Sequence, residues 1–339
     1  MNFDQFFPII ICIIILFYKK FLIKNFLVSQ TGDTHQKFAN KESVPLIGGI
    51  LIFISFCYLF FGETHIGYIA TCSLVFFIGF VSDIKLIKSA FIKLILQFLI
   101  IYTLVSFLNF NLSPVRINFL DLLNQNIYFN YFFITLCIVI LINGSNFMDG
   151  INGLALGYFL LIFLFINLNN FNVSIFPQQK IYILIQVLLI LFIFNLFNKL
   201  FLGDSGSYFL GVFYSFYLIE IYNTNLLSPF YIILLLWYPC FELLFSILRK
   251  FNFKKSPMKP DVNHLHQLIF ISYKKKGVLK NPLHCNNLSS ISILIYNFIL
   301  FYIATIYNKN SEIQILFILI SVILYCYIYL KLYQSNHKS

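Results

Sequence analysis

Long apolar runs alternate with short polar breaks along the whole chain. A helix needs roughly 20 apolar residues to cross lipid. By that measure the sequence holds about eleven candidate spans, centred near residues 14, 53, 74, 98, 136, 162, 189, 214, 238, 298 and 323. Most are apolar all round, the pattern of helices surrounded by lipid and by other helices. The first is the least regular, because Lys19, Lys20 and Lys24 interrupt its second half; long lysine side chains can reach the interface. The pattern predicts an all-α, polytopic integral membrane protein of about 10–11 transmembrane helices. It forms one transmembrane domain over residues 1–339, with no soluble domain, no linker and no internal repeat of transporter type.

Composition agrees. The chain is 60% hydrophobic and 10% charged, with a mean hydropathy of +0.86, which excludes a soluble globular domain of this size. The 44 Phe and 22 Tyr carry little functional weight, since an AT-rich genome favours such codons. The N-terminal run lacks a basic leader and a small-residue cleavage site, so it reads as a retained first span. Six of the seven cysteines lie inside apolar runs, with no metal-ligand spacing, and read as small buried hydrophobes.

The net charge of +11 calls for topology before nucleic acid, because Lys and Arg gather on the cytoplasmic side. With the N-terminus outside, the inside loops hold 20 basic residues and the outside loops 3, namely Arg116, Lys180 and Lys309. This orientation puts the polar loops near 28–44, 82–90, 143–153, 198–207 and 249–287 on the cytoplasmic face.

The unusual polar residues fall in those same loops. Residues 143–157 read Asn-Gly-Ser-Asn-Phe-Met-Asp-Gly-Ile-Asn-Gly-Leu-Ala-Leu-Gly, between two strongly apolar runs. Such groups are costly near lipid, about 3 kcal/mol for an Asp at a helix centre, so they point to a polar pocket at the boundary. Four other stretches join it: 37–49, 79–97, 203–211 (Gly-Asp-Ser-Gly-Ser-Tyr-Phe-Leu-Gly) and 256–268 (ending Pro-Asp-Val-Asn-His-Leu-His-Gln-Leu). Asp83, Asp149 and Asp204, with Asn146, could hold Mg²⁺, a hard cation that takes oxygen ligands. The glycines around Asp204 would let a pyrophosphate approach. His264 and His266 lie among basic residues suited to phosphate. Carboxylates, His and Lys without a nucleophile pattern point to phosphoryl transfer by positioning and charge neutralisation. Each feature also has a bland reading. A lone Asp at a span end is most often a helix cap, His-x-His an interfacial pair, and Gly48-Gly49 as much a helix-packing element as a ligand contact. Phe147 and Met148 read as packing residues.

Taken in order, these stretches resemble the polyprenyl-phosphate N-acetylhexosamine-1-phosphate transferases (glycosyltransferase family 4), over roughly residues 33–270. The resemblance rests on 203–211 and 143–155, then on Pro260-Asp261…His264-Leu265-His266, with Val44–Gly49 and Lys93-Leu94…Gln97 in support. It implies attack of undecaprenyl phosphate on the β-phosphorus of a cytoplasmic UDP-N-acetylhexosamine, releasing UMP, with Mg²⁺ required and Mn²⁺ as a substitute. By that resemblance Asp204 and Asn146 hold the metal, and Asp83, Asp149, Asp204, His264 and His266 are catalytic. Lys37, Asn143, Asn146, Gly150, Asn152, Phe201 and Asp261 bind substrate, with Gly150, Asn152 and Phe201 in the region that receives uracil. Nucleic acid is not a partner; homodimerisation is left open.

Three departures qualify the match. Ser82-Asp83 stands where the family has paired acids, the first of them proposed as the base. Asn152 replaces a commoner Asp, and Gln267 and Ala39 stand where many members have His. The last pattern favours an initiator of surface polysaccharide such as O-antigen over phospho-MurNAc-pentapeptide transferase of peptidoglycan synthesis. Ser82 raises the alternative of a member that has lost activity.

Overall fold

The computed structural model describes residues 6–21, 44–169, 171, 173, 175–254, 256 and 261–337. Lys37 and Ala39 lie outside the described residues. The described residues form helices α1 (Phe7–Phe21), α2 (Gly48–Phe60), α3 (Ile66–Asp83), α4 (Ala90–Phe107), α5 (Asn118–Asn124), α6 (Ile127–Met148) and α7 (Leu154–Leu168). They continue with α8 (Gln178–Leu196), α9 (Gly203–Thr224), α10 (Pro229–Leu235), α11 (Trp237–Asn252), α12 (Leu265–Lys275), α13 (Pro282–Ile306) and α14 (Ser311–His337). Each of the eleven span centres predicted from hydropathy falls within one of these helices.

Six of them, α3, α4, α6, α8, α13 and α14, are long and apolar enough to cross a membrane, and α10 with α11 makes a seventh as a pair bent by 73°. The chain is an all-α, polytopic membrane protein. The broken span was not foreseen: the sequence reading found no broken helix. Its cause is local. Ser228 caps α10, accepting the Phe230 N–H at 3.2 Å, and Pro229 opens it. After Leu236, Pro239 falls within the first turn of α11, where it has no N–H to donate and none is needed.

The centre of the bundle is α9, buried along nearly all its length and packed against α2, α3 and α6. Being shielded from lipid, it can carry Ser, Tyr and Glu220 at spanning length. It is held very closely at its N-terminal end. A methyl group at Gly49 of α2 would lie 2.4 Å from the Gly206 nitrogen, and one at Gly79 of α3 would lie 2.5 Å from the Ser205 Cα. Backbone therefore touches backbone, the small-residue mode of membrane helix packing. Of the two readings given to Gly48-Gly49, packing is the one the structure supports. The same junction is tied by main-chain bonds: Gly48 and Gly49 donate to the Phe201 and Leu202 carbonyls at 3.0 Å each, and Phe201 donates to Pro45 at 2.8 Å. They satisfy donors at the start of α2 that have no partner inside the helix.

Polar residues collect at two opposite ends. At one, Arg116 donates to the Lys309 carbonyl (3.3 Å), Ser311 (3.1 Å) and the Leu227 carbonyl (2.9 Å). Lys180 pairs with Glu63 at 3.0 Å. At the other end meet the C-termini of α3, α6 and α11 and the N-termini of α4, α7 and α9. The described parts of the loops assigned to one membrane face are thus brought to one end of the bundle. The described cysteines are all unpaired thiols.

Replacing Gly49 or Gly79 by Ala is expected to lower stability by about 1–3 kcal/mol, the range for overpacked contacts, because backbone cannot step aside. Thermal melting in detergent checks it; melts unchanged from the parent would mean that α9 is held less closely.

Candidate active site

Three loops converge on the first turn of α9. The backbone N–H groups of Asp204 and Ser205 donate to the two oxygens of Asp83, at 2.8 and 3.0 Å. The Gly203 N–H donates to Asp149 at 3.2 Å. Two carboxylates from two other helix ends therefore cap α9, where unpaired donors and the helix dipole both favour negative charge. The bland reading of an Asp at a span end holds for both. Gly203 has φ +77°, and a side chain there would meet the Asp83 carboxylate at 2.8 Å. The sequence reading gave the space beside that glycine to a pyrophosphate; in the structure Asp83 fills it.

Asp204 faces outward from this cap. Its Oδ1 accepts from the Asn146 amide at 2.7 Å. Its Oδ2 accepts from the Ser82 hydroxyl at 2.5 Å and from the Lys93 ammonium at 3.0 Å. Lys93 also donates to Ser82 at 3.0 Å, and Asn146 to Ser207 at 3.1 Å. Of the three carboxylates, Asp204 is the one that pairs with the Lys93 ammonium, while Asp83 and Asp149 accept from backbone N–H groups. The Asp149 carboxyl is pushed well above its ordinary range, first by burial and then by the charges of Asp204 and Asp83, against the lowering effect of the Gly203 N–H.

A second cluster adjoins the first through residues 147–150. The Phe147 ring meets the His264 ring edge-on at 4.8 Å, and a side chain at Gly150 would lie 2.8 Å from His266 Nε2. The two imidazoles stack at 5.5 Å. His264 Nδ1 is 2.9 Å from the buried Glu242 carboxylate, and His266 Nδ1 is 3.4 Å from the Tyr238 hydroxyl. Gln267, which replaces a His in the sequence comparison, accepts the His264 N–H at 3.3 Å and so fixes the start of α12. Asp261 pairs with Arg249. Burial would raise the Asp261 pKa, but the Arg249 guanidinium and neighbouring cationic groups prevail and hold it below the usual range.

The predicted residues divide accordingly. Asp83, Asn146, Asp149 and Asp204 meet in one cluster, and Gly150, Asp261, His264 and His266 in its neighbour. Asn143 lies one turn before Asn146 and donates to Gln97 at 2.8 Å. Asn152 is drawn away: only 5% exposed, it bonds Asn198 (3.2 Å) and Asn286 (2.8 Å), a tether that shapes the loop. Phe201 is buried beside the junction with α2. Phe147 and Met148 do pack, but Phe147 packs on a site residue. The sequence reading missed Glu242, whose signal was a lone acid inside an apolar run.

The donor set suits a hard cation. Among the described residues no three His, Cys, Asp or Glu form a metal-ligating group. A cation would take Asp204 and Asn146 and complete its shell with water or phosphate oxygens, the pattern Mg²⁺ accepts. Asn146, whose amide N–H donates to Asp204 here, would present its amide oxygen to such a cation instead.

A model of glycosyl transferase family 4 matches residues 65–222. The chain is 28% identical to a probable undecaprenyl-phosphate N-acetylglucosaminyl 1-phosphate transferase of Bacillus subtilis, over 73% of this chain and 71% of that protein. It is 27% identical to an undecaprenyl-phosphate alpha-N-acetylglucosaminyl 1-phosphate transferase of Escherichia coli O157:H7, over 67% of this chain and 65% of that protein, just under two thirds of the relative's length. It is 31% identical to a phospho-N-acetylmuramoyl-pentapeptide-transferase of Petrotoga mobilis, over 59% of this chain and 67% of that protein.

Because Asp149 binds its proton more tightly in the folded than in the unfolded chain, stability falls as pH rises from the ordinary carboxyl value, about 3.9, toward the raised one. Asp149→Asn is expected to gain on the order of 1 kcal/mol at neutral pH and to flatten that slope. Melting curves from pH 4 to 8 in a chelating buffer test this; a variant with the parent's slope would refute it.

Proposed function

The chain belongs to glycosyl transferase family 4, and from that premise we propose that it transfers an N-acetylhexosamine-1-phosphate from a UDP-sugar to undecaprenyl phosphate. A lipid phosphate oxygen forms a bond to the donor's β-phosphorus, the bond from that phosphorus to the bridging oxygen breaks, and UMP leaves with the electron pair. GlcNAc-1-phosphate is the first choice of cargo, supported by the names that the Bacillus and Escherichia relatives carry. The Petrotoga relative supports UDP-MurNAc-pentapeptide equally, so the donor is the point the experiment decides. The reaction takes place at the cytoplasmic face of a bacterial inner membrane; the excess of basic residues in the loops on that side is the support.

The observation that carries this reading is the outward-facing Asp204, held by Asn146, Ser82 and Lys93 on a helix start locked by Asp83 and Asp149. A rigid carboxylate at the membrane boundary is suited to Mg²⁺, which would neutralise the diphosphate and the leaving UMP. Lys93 supplies a second positive charge within reach of phosphate. Asp83 has both oxygens engaged by backbone N–H groups, so its part is to position Asp204 and Ser205. A separate base is not required, since a phosphate monoester with a second pKa of about 6 is largely ionised at neutral pH. His264 and His266 bring their imidazole rings to the sugar and phosphate side.

The test is UMP release by purified protein in detergent with undecaprenyl phosphate, with and without Mg²⁺, offering UDP-GlcNAc, UDP-GalNAc and UDP-MurNAc-pentapeptide separately. Release that depends on metal with one donor is expected. Asp204→Ala should lower it at least about a hundredfold, ~2.7 kcal/mol, in protein that still folds. Ser82→Asp should change turnover by less than about tenfold (1.4 kcal/mol), because Asp204 is already held without a second acid. Recovery from zero in Ser82→Asp would instead identify a site inactivated at Ser82.

A further inference from the structure

The last helix of the chain lies outside the matched residues 65–222 and carries no recognised motif, yet it reaches the histidines. Glu242, on α11 just past the 73° break, is 1% exposed. A carboxylate so deeply buried needs partners for both oxygens. Its Oε1 faces His264 Nδ1 at 2.9 Å and accepts the Leu265 N–H at 3.4 Å. Its Oε2 accepts the Tyr325 hydroxyl of α14 at 2.9 Å. Four residues on, Tyr329 accepts from Arg249 at 2.6 Å, and Arg249 pairs with Asp261, three residues before His264. The Tyr325 ring is buried against Phe241 and Phe245, at 4.9 and 5.2 Å.

We infer that Glu242 and Tyr325 are positioning residues for the transfer reaction: together they fix the orientation and tautomer of His264. A carboxylate at Nδ1 selects the ring form with its proton on that nitrogen and leaves Nε2 as the working atom. Tyr325 holds the carboxylate by its other oxygen, so Glu242 cannot swing away from the ring. The break between α10 and α11 brings Glu242 to this depth, and α14 closes the arrangement from outside. The charged and titratable groups around His264 are Glu242 and Tyr238 from α11, His266 from α12, Tyr325 from α14, and the Arg249–Asp261 pair. Of these, Glu242 alone bonds its ring.

The inference uses the transferase reading only for its turnover arm. In that arm Glu242→Gln, which keeps the shape and removes the charge, should lower turnover by about tenfold to a hundredfold, the usual effect of losing a partner behind a functional His. Tyr325→Phe should lower it several-fold. In a His264→Asn background, adding Glu242→Gln should cost less than about twofold, because the two residues act as a unit. A purely structural Glu242 would give the same loss in both backgrounds, and that result would overturn the inference. The second arm needs no substrate. Ring-nitrogen resonances of ¹⁵N-histidine-labelled protein should show His264 with its proton on Nδ1. In Glu242→Gln that preference should weaken, with the proton shared between Nδ1 and Nε2. A His264 ring whose tautomer is the same in the parent, Glu242→Gln and Tyr325→Phe would overturn it even if no donor is turned over. Should Glu242→Gln fail to fold, Tyr325→Phe carries both arms, since it removes one hydroxyl and keeps the buried ring.

Discussion

Everything at the polar end of the bundle depends on how the first turn of α9 is satisfied. A helix that starts inside a membrane protein presents backbone N–H groups that neither lipid nor its own chain can accept. Here two carboxylates answer that need, Asp83 from the end of α3 and Asp149 from the end of α6. The solution draws three helix ends to one point and leaves a third carboxylate, Asp204, facing outward on the same turn. Glycines at 49, 79 and 206 permit this, because the cap closes only if α2 and α3 approach α9 at backbone distance. The result concentrates negative charge, and the Asp149 carboxyl is pushed up first by its burial and then by the charges of Asp204 and Asp83. A cation held by Asp204 would offset that charge.

Much of this was legible in the sequence, for a physical reason. Polar residues at lipid boundaries are expensive, so Asp83, Asn146, Asp149 and Asp204 stood out against their surroundings, and all four meet. The apolar runs were as informative: every span centre falls in a helix. What sequence could not divide was capping from chemistry. Asp83, Asp149 and Asp204 look alike on paper, and only the direction of the α9 N–H groups separates the two caps from the carboxylate that faces Asn146, Ser82 and Lys93. Asn152 shows the same limit: its motif suggested substrate, while its position in space gives it to Asn198 and Asn286.

The broken span was illegible for another reason. The run around residue 238 has the hydropathy of one continuous crossing, so hydropathy gives no sign of the bend at Leu236 that the start of α11 with Pro239 in its first turn sets; Trp237, at that start, donates its indole N–H to Asn297 at 2.8 Å. Glu242 did carry a signal, a single acid in an apolar stretch, but its partners stand 22 and 83 residues away. Tyr325 is one of 22 tyrosines, and nothing local distinguishes it.

The long reach of the cap also sets an order of assembly. Asp83 and the N–H groups that it accepts are separated by 121 and 122 residues. As the chain is made from its N-terminus, α3 is complete long before α9 exists, and until then Asp83 has only water to solvate its charge. It must therefore wait at the membrane surface, which pins the end of α3 while the following helices enter. Ser82, Lys93 and Asn146 wait with it. The pocket is thus a late product of biogenesis, closed when α9 docks, and its last tie is made only when Tyr325 emerges. Chains cut short before α9 would leave the Asp83 carboxylate at the surface without the N–H groups that it accepts from in the folded protein.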